Sequence, residues 1–265
     1  MNSLKLKIFA IIVMTIDHLG IVFNAIHNYR SVGDDFVYFS NDAYWYMRVI
    51  GRMAFPVFCF MIAEGCAHTK SMGKYILRLA VFALISQIPF QVFGTIRYGL
   101  GYFNENWYVF SKSNVIVTLT LGALVVFFYS KSYERGWFKK LLCYIGIIAA
   151  FFAVIILKSE YDIYGLSVIL LVYIFRSKDK NAPDEAIFGN SYMQVFVCTA
   201  VTFVFYFIVY NHMNMTYQVL GAVLSAVPLL LYNSKPGKYR AKMLFYIYYP
   251  AHFLVLSAVL FVVLQ

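Results

Sequence analysis

Charge is scarce in this chain. Only 13% of its 265 residues are Asp, Glu, Lys or Arg, and just 12 are acidic. Soluble domains carry about a quarter charged residues, so 62% hydrophobic residues and a mean hydropathy of +0.71 exclude an ordinary water-soluble fold. Cysteine is equally sparse. Cys59, Cys66, Cys143 and Cys198 form no C-x-x-C pair and no Cys/His ligand spacing, so they are read as packing residues, with no metal and no disulfide framework expected. Internal repeats and low-complexity segments are lacking too. A cleavable leader is not expected either. The stretch from Met1 to His27 holds Asp17 and His18 inside its apolar run and has no small-x-small cleavage site, so it is read as a first membrane span.

What is present is a series of apolar runs of roughly the length a helix needs to cross about 30 Å of hydrocarbon. They run from about 4 to 26, 47 to 67, 75 to 93, 114 to 129, 138 to 157, 161 to 175, 192 to 210, 217 to 232 and 244 to 264. The expected fold is therefore an all-α, polytopic membrane helix bundle of about nine transmembrane helices, forming a single domain over residues 1–265. The sixth run is short, and a re-entrant segment is its alternative.

The formal net charge of +10 could suggest a nucleic-acid partner. The basic residues, however, lie in short loops between apolar runs, so no nucleic acid is expected and membrane topology accounts for them. With nine crossings and the amino terminus inside, the cytoplasmic side holds five clusters: Lys5 and Lys7; Lys70, Lys74 and Arg78; Lys131, Arg135, Lys139 and Lys140; Arg176, Lys178 and Lys180; Lys235, Lys238, Arg240 and Lys242. That is 16 of the 22 Lys and Arg, against five outside at Arg30, Arg48, Arg97, Lys112 and Lys158, with Arg52 inside a span. The split follows the positive-inside rule, and omitting the sixth crossing would place the 235–242 cluster outside. The carboxyl terminus is then expected outside. The longer outer loops carry Asp34, Asp35, Asp42, Trp45, Glu105 and Trp107, some of them interfacial-belt aromatics.

Ionisable groups at membrane depth cost on the order of 2.5–3.5 kcal/mol each, so each needs a partner, a watery cavity or a function. Counting along the spans puts Asp17 and His18 roughly 20 Å from the inner boundary and Arg52 roughly 8 Å from the outer one. Gln87 falls close to the same level, and Asn114 and Asp162 begin spans on the outer side. Neighbouring helical residues point about 100° apart, so Asp17 is expected to pair with an arginine on another helix, Arg52, leaving His18 available. A second group is cytoplasmic. Glu64 and His68 lie one turn apart, followed by Lys70, Lys74 and Arg78, a set able to hold a polyphosphate. His252 lies between the two levels. Each group also has a structural reading: a helix-gluing ion pair for Asp17 and Arg52, topology for the basic cluster, an interhelical hydrogen bond for His252, and interfacial positions for His27 and His212.

The chain resembles the TraX family in an ordered set of motifs. They are Met14-Thr15-Ile16-Asp17-His18-Leu19-Gly20, Ile50-Gly51-Arg52-Met53-Ala54-Phe55-Pro56, Ala63-Glu64-Gly65 with His68-Thr69, Leu84-Ile85-Ser86-Gln87-Ile88-Pro89-Phe90, Asn114-Val115, Asp162-Ile163-Tyr164-Gly165, Tyr232-Asn233 with Gly237, and Tyr248-Tyr249-Pro250-Ala251-His252. The resemblance implies a multi-pass protein of the bacterial cytoplasmic (plasma) membrane, surrounded by lipid bilayer. It also implies a membrane acetyltransferase related to the wider transmembrane acyltransferase class, using cytoplasmic acetyl-CoA on an extracytoplasmic acceptor such as a pilin amino terminus or a glycan. On that reading His18 is the general base, Asp17 orients the site through Arg52, and Arg52 or Gln87 steadies the oxyanion. Glu64, His68, Lys74 and Arg78 line the acetyl-CoA entrance, with His252 further along the path. Direct attack on the thioester is favoured over an acyl-histidine. The rival readings are a small proton-coupled transporter using Asp17, Arg52 and His18, and a membrane assembly factor with structural ion pairs only.

Overall fold

The computed structural model describes residues 1–30, 41–106, 108, 112–133, 136–176, 191–209, 216–233, 235 and 243–265. Expectations placed on Asp34, Asp35, Trp107, Arg135, Lys178, Lys180, His212, Gly237, Lys238, Arg240 and Lys242, and on the side chain of Arg30, lie outside the described residues. The described chain is helical throughout, its one extended pairing being an isolated bridge between Ser113 and Ser159. The helices are α1 (Ser3–Arg30), α2 (Asn41–Arg52), α3 (Ala54–His68), α4 (Met72–Ile96), α5 (Leu100–Asn106), α6 (Val115–Ser132), α7 (Trp137–Ile156), α8 (Asp162–Ile174), α9 (Ser191–Val209), α10 (Thr216–Leu224), α11 (Ala226–Leu230) and α12 (Leu244–Val263). Among the described residues, six spans are long and apolar enough to cross a membrane: Ser3–Asn28, Asp42–His68, Met72–Ile96, Val115–Ser132, Trp137–Ile156 and Leu244–Val263. Asp162–Ile174, Tyr192–Phe205 and Val219–Leu230 are shorter apolar helices at the places of the sixth, seventh and eighth expected spans.

Two expected single helices are each split, and proline is the cause. Pro56 has no N–H to offer the carbonyl of Arg52, and its ring crowds that carbonyl. The chain passes from α2 to α3 at Met53, whose N–H reaches back only to Ile50 (3.2 Å). Pro228 has the same effect on Leu224, dividing α10 from α11 at Ser225. Pro89 and Pro250, by contrast, lie within continuous helices. Sequence reading did not anticipate α5, a short helix of mixed polar and apolar residues between α4 and α6.

Fully buried Phe60, Leu119, Leu166 and Ile169 place the core among α3, α6 and α8. Around it α1 packs on α2, α4 on α12 and α6, and α9 on α8 and α10. The peripheral helix is α7, which leans on α6 where a Cβ at Gly146 would meet the Phe128 ring. Its Phe152 and Ile156, like Leu84 and Ile88 of α4, face outward, the surface lipid requires. All four cysteines are buried free thiols, as packing residues should be.

The α1–α2 contact depends on having no side chain at Gly51. A Cβ there would sit 2.1 Å from Asp17 Cβ. We expect Gly51→Ala to cost about 1–3 kcal/mol through overpacking, read as a lower melting temperature in detergent. Gly73→Ala, where a Cβ meets nothing within 4 Å, should leave melting unchanged.

Candidate active site

The two faces of α1 do different work. Asp17 points at α2, where its Oδ2 accepts from Arg48 Nη1 at 2.7 Å in a buried ion pair. The expected partner, Arg52, lies one turn further along α2 and instead donates from Nη1 to the Tyr161 hydroxyl at 2.9 Å, keeping Asp17 within electrostatic reach. The physical reason is packing. A Cβ on Gly221 would sit 2.5 Å from Arg52 Cβ, so α10 presses on Arg52, whereas Arg48 remains on the α1 side.

Residue 18, about 100° around the helix, faces α12 and α4. His18 Nδ1 and His252 Nε2 are 2.9 Å apart, and His252 Nδ1 lies 3.1 Å from the Tyr248 carbonyl. A carbonyl only accepts, so His252 Nδ1 carries the hydrogen. In a neutral imidazole the other nitrogen is then the acceptor, so His18 Nδ1 must be the donor. His18 Nε2 is left with an unprotonated lone pair. A second rung lies one turn away, where Thr15 Oγ1 donates to the Ile11 carbonyl (2.8 Å) and therefore accepts from the Tyr248 hydroxyl (2.6 Å). Tyr248 stacks on His252, while Phe93 and Phe253 enclose the His18 ring.

Two cavities approach this pair. The first, about 330 Å³, is lined by His18, Phe90, Phe93, Phe253, Arg97, Lys112, Glu160, Tyr98 and Tyr102 among others. The second, about 620 Å³, is lined by Lys7, His68, Lys70, Lys74, Tyr75, Arg78, Phe245 and Tyr246 among others. Their nearest walls are separated by about 10 Å along α12, from Tyr246 to Phe253, with His252 between. Below they are the His18 cavity and the Lys74 cavity.

The expected groups are thus partly gathered. His68, Lys74 and Arg78 lie in one wall, and Arg78 sits 5.6 Å from the ring centres of both Tyr75 and Tyr246. Glu64 stands behind that wall, its carboxylate 3.3 Å from His68 Nε2 and 3.5 Å from the Gln194 amide. His252 belongs with His18 instead of with the basic residues. Gln87 is engaged structurally: Oε1 accepts from the backbone and side-chain amides of Asn114 (3.0 and 2.9 Å), and Nε2 donates to the Lys112 carbonyl (2.9 Å). Asn114 in turn caps α6 through Ile116 N–H.

Sequence reading missed the turn from 157 to 162. Ser113 Oγ donates to the Leu157 carbonyl (2.6 Å), Glu160 N–H donates to the Ser113 carbonyl (3.1 Å), and Thr118 bonds both Ser159 and the Glu160 carbonyl. These contacts hold Lys158, Tyr161 and Asp162 at φ of 45°, 64° and 39°, a strained conformation for residues with side chains. The turn delivers Tyr161 to Arg52 and Glu160 to the His18 cavity. Burial pushes the Glu160 carboxyl above its usual range, against the opposing pull of Arg52. The available signal was Lys158-Ser159-Glu160-Tyr161-Asp162, a dense polar run joining two apolar helices.

Fold and site together define a polytopic helical membrane protein with a histidine pair set between two polar cavities. The TraX protein family model matches residues 3–260, so the chain belongs to the TraX family and is a multi-pass bacterial membrane protein. It is 33% identical over 89 residues to the "Probable fimbrial assembly protein FimC" of Dichelobacter nodosus, covering 34% of this chain and 31% of that one. It is 23% identical over 176 residues to the uncharacterized protein RP591 of Rickettsia prowazekii (strain Madrid E), covering 66% of this chain and 56% of that one. The matches thus span about a third to a half of these relatives. No solved structure matches.

Removing one partner of a buried ion pair strands the other charge, at a cost of about 3–5 kcal/mol. Arg48→Gln should therefore destabilise the detergent-solubilised protein more than Arg52→Gln. Adding Asp17→Asn should recover part of the loss in the first variant but not in the second, as read by thermal unfolding.

Proposed function

We propose that this protein transfers an acetyl group from cytoplasmic acetyl-CoA to an amine or hydroxyl on the far side of the membrane. The acceptor is a pilin amino terminus or another acceptor of that chemistry, such as a glycan. The TraX family is associated with pilin modification, and one relative is named for fimbrial assembly. The observation that carries the reading is the hydrogen-bond chain from the Tyr248 carbonyl through His252 to His18, ending in an unprotonated Nε2 on a residue of the His18 cavity.

In this reading the Lys74 cavity takes the donor. Lys74, Arg78, Lys70 and Lys7 supply positive charge for the phosphates of acetyl-CoA, with His68 beside them and Glu64 acting through His68. The acceptor enters the His18 cavity. Its nitrogen or oxygen attacks the thioester carbonyl carbon as His18 Nε2 takes its proton. The carbon–sulfur bond then breaks, and the CoA thiolate leaves with that proton from the His18 imidazolium. No acyl-histidine is needed. His252 is a positioning residue, since its acceptor nitrogen keeps the hydrogen of His18 on Nδ1 both before and after the second proton arrives. Arg52, tied to Tyr161 and within electrostatic reach of His18, would steady the oxyanion. Gln87 keeps the α4–α6 frame.

The first test is thermal stabilisation of the purified protein by acetyl-CoA, CoA and dephospho-CoA. Saturable stabilisation, weaker with the dephospho form and in Lys74→Ala and Arg78→Ala, is expected. Absence of any shift in folded protein would turn the assignment toward a proton-coupled solute path through Asp17, Arg52 and His18. His18→Ala should lower kcat by about 10²–10⁴-fold while acetyl-CoA still stabilises the fold. His252→Gln should lower kcat less and move the acid limb of the pH–rate profile, which a packing role alone would leave in place.

A further inference from the structure

We propose that the His18 cavity selects an acceptor carrying both a primary amine and an anionic group, the amine received by Glu160 and the anion by Arg97 and Lys112. Only the fate of the bound acceptor rests on the acetyl-transfer reading; the binding itself does not.

Three charged residues line this cavity from separate elements: Arg97 at the end of α4, Lys112 before α6, and Glu160 on the strained turn. Among the described residues the three form no ion pair with one another. Opposite charges held around a space without closing on each other leave their pairing to a ligand that carries both signs.

Each of the three is also held in place. Arg97 donates from Nε to the Gly94 carbonyl (3.2 Å) and from Nη2 to the Tyr98 hydroxyl (2.9 Å), with its guanidinium 4.8 Å above the Tyr98 ring, which leaves Nη1 for a ligand. The Lys112 backbone is fixed by Gln87, and that of Glu160 by Ser113 and Thr118. Such preorganisation lowers the entropy cost of binding. With His18 neutral the cavity bears two positive charges and one negative, so the anion is the better-provided end. A volume of about 330 Å³ is at the small end for ligand sites. It admits an amino acid or the first residues of a peptide. His18, in the same wall, then meets the amine.

Two sources supply this chemistry, a free amino acid or a peptide amino terminus followed by an acidic residue. The test uses the full chain in detergent and three tripeptide amides: Ala-Asp-Ala, Ala-Asn-Ala and N-acetylated Ala-Asp-Ala, with free aspartate as a fourth probe. Saturable thermal stabilisation by Ala-Asp-Ala amide, at least tenfold weaker for the other two peptides, is expected. Arg97→Gln and Lys112→Gln should each abolish the preference for Asp over Asn, and Arg97→Lys should retain part of it. Glu160→Gln should abolish the preference for the free amine over the acetylated one. Free aspartate binding as tightly as the peptide supports a small acceptor, and weaker binding supports a chain end. Equal binding of all peptides, or preferences unchanged in all three neutral variants while the fold is retained, would overturn the proposal. If Ala-Asp-Ala amide binds as expected but acetyl-CoA gives no shift, the acetyl-transfer reading fails and the binding site stands.

Discussion

The buried pair of Asp17 and Arg48 is the constraint on which the rest depends. In a helix bundle surrounded by hydrocarbon, a carboxylate cannot turn to water, so its direction is dictated by the guanidinium it must meet. That fixes the rotation of α1 about its own axis. With Asp17 turned to α2, the next residue can only face α12 and α4, and His18 meets His252 there. Gly51 lets the backbones approach closely enough for the pair to form. A carboxylate turned to α2 thus sets the direction in which its neighbour His18 points.

The same separation explains why the two histidines act as a unit. Each is a half-committed hydrogen-bonding ring whose proton positions would otherwise be free to exchange. The Tyr248 carbonyl removes that freedom, because its only option is to accept. Its demand passes through two rings and emerges as a lone pair on His18. Two rungs one helical turn apart, Thr15 with Tyr248 and His18 with His252, keep α1 and α12 from sliding and so keep the chain of donors intact.

Much of this was legible in the residues, and the failures are instructive. Apolar run lengths located the helices, and the cost of intramembrane charge singled out Asp17, His18, Arg52 and His252. Depth counting along the spans brought Asp17 and an α2 arginine to one level. It chose Arg52, whereas Asp17 meets Arg48, because α10 presses on Arg52 at Gly221. Pro56 and Pro228 lie inside apolar runs, and their effect as helix boundaries shows only in the fold. Depth counting put Gln87 near the level of Asp17, and the fold shows its amide bonded to Asn114 and to the Lys112 carbonyl. Glu160 and Tyr161 were overlooked because a short connection between apolar helices carries no periodicity, and its placement comes from long-range contacts with Ser113 and Thr118.

The two cavities are not independent compartments, for α4 and α12 supply walls to both. Each of these helices carries an internal proline, Pro89 in one and Pro250 in the other, so each has a site where its backbone hydrogen-bond ladder is already interrupted. Anything that widens one end must be accommodated along rods that also bound the other. Were ligands to fill both chambers, any coupling carried by these helices would be reciprocal: a factor by which filling one alters affinity in the other would apply equally in reverse. The shared, bendable struts would then make the two chambers one thermodynamic system.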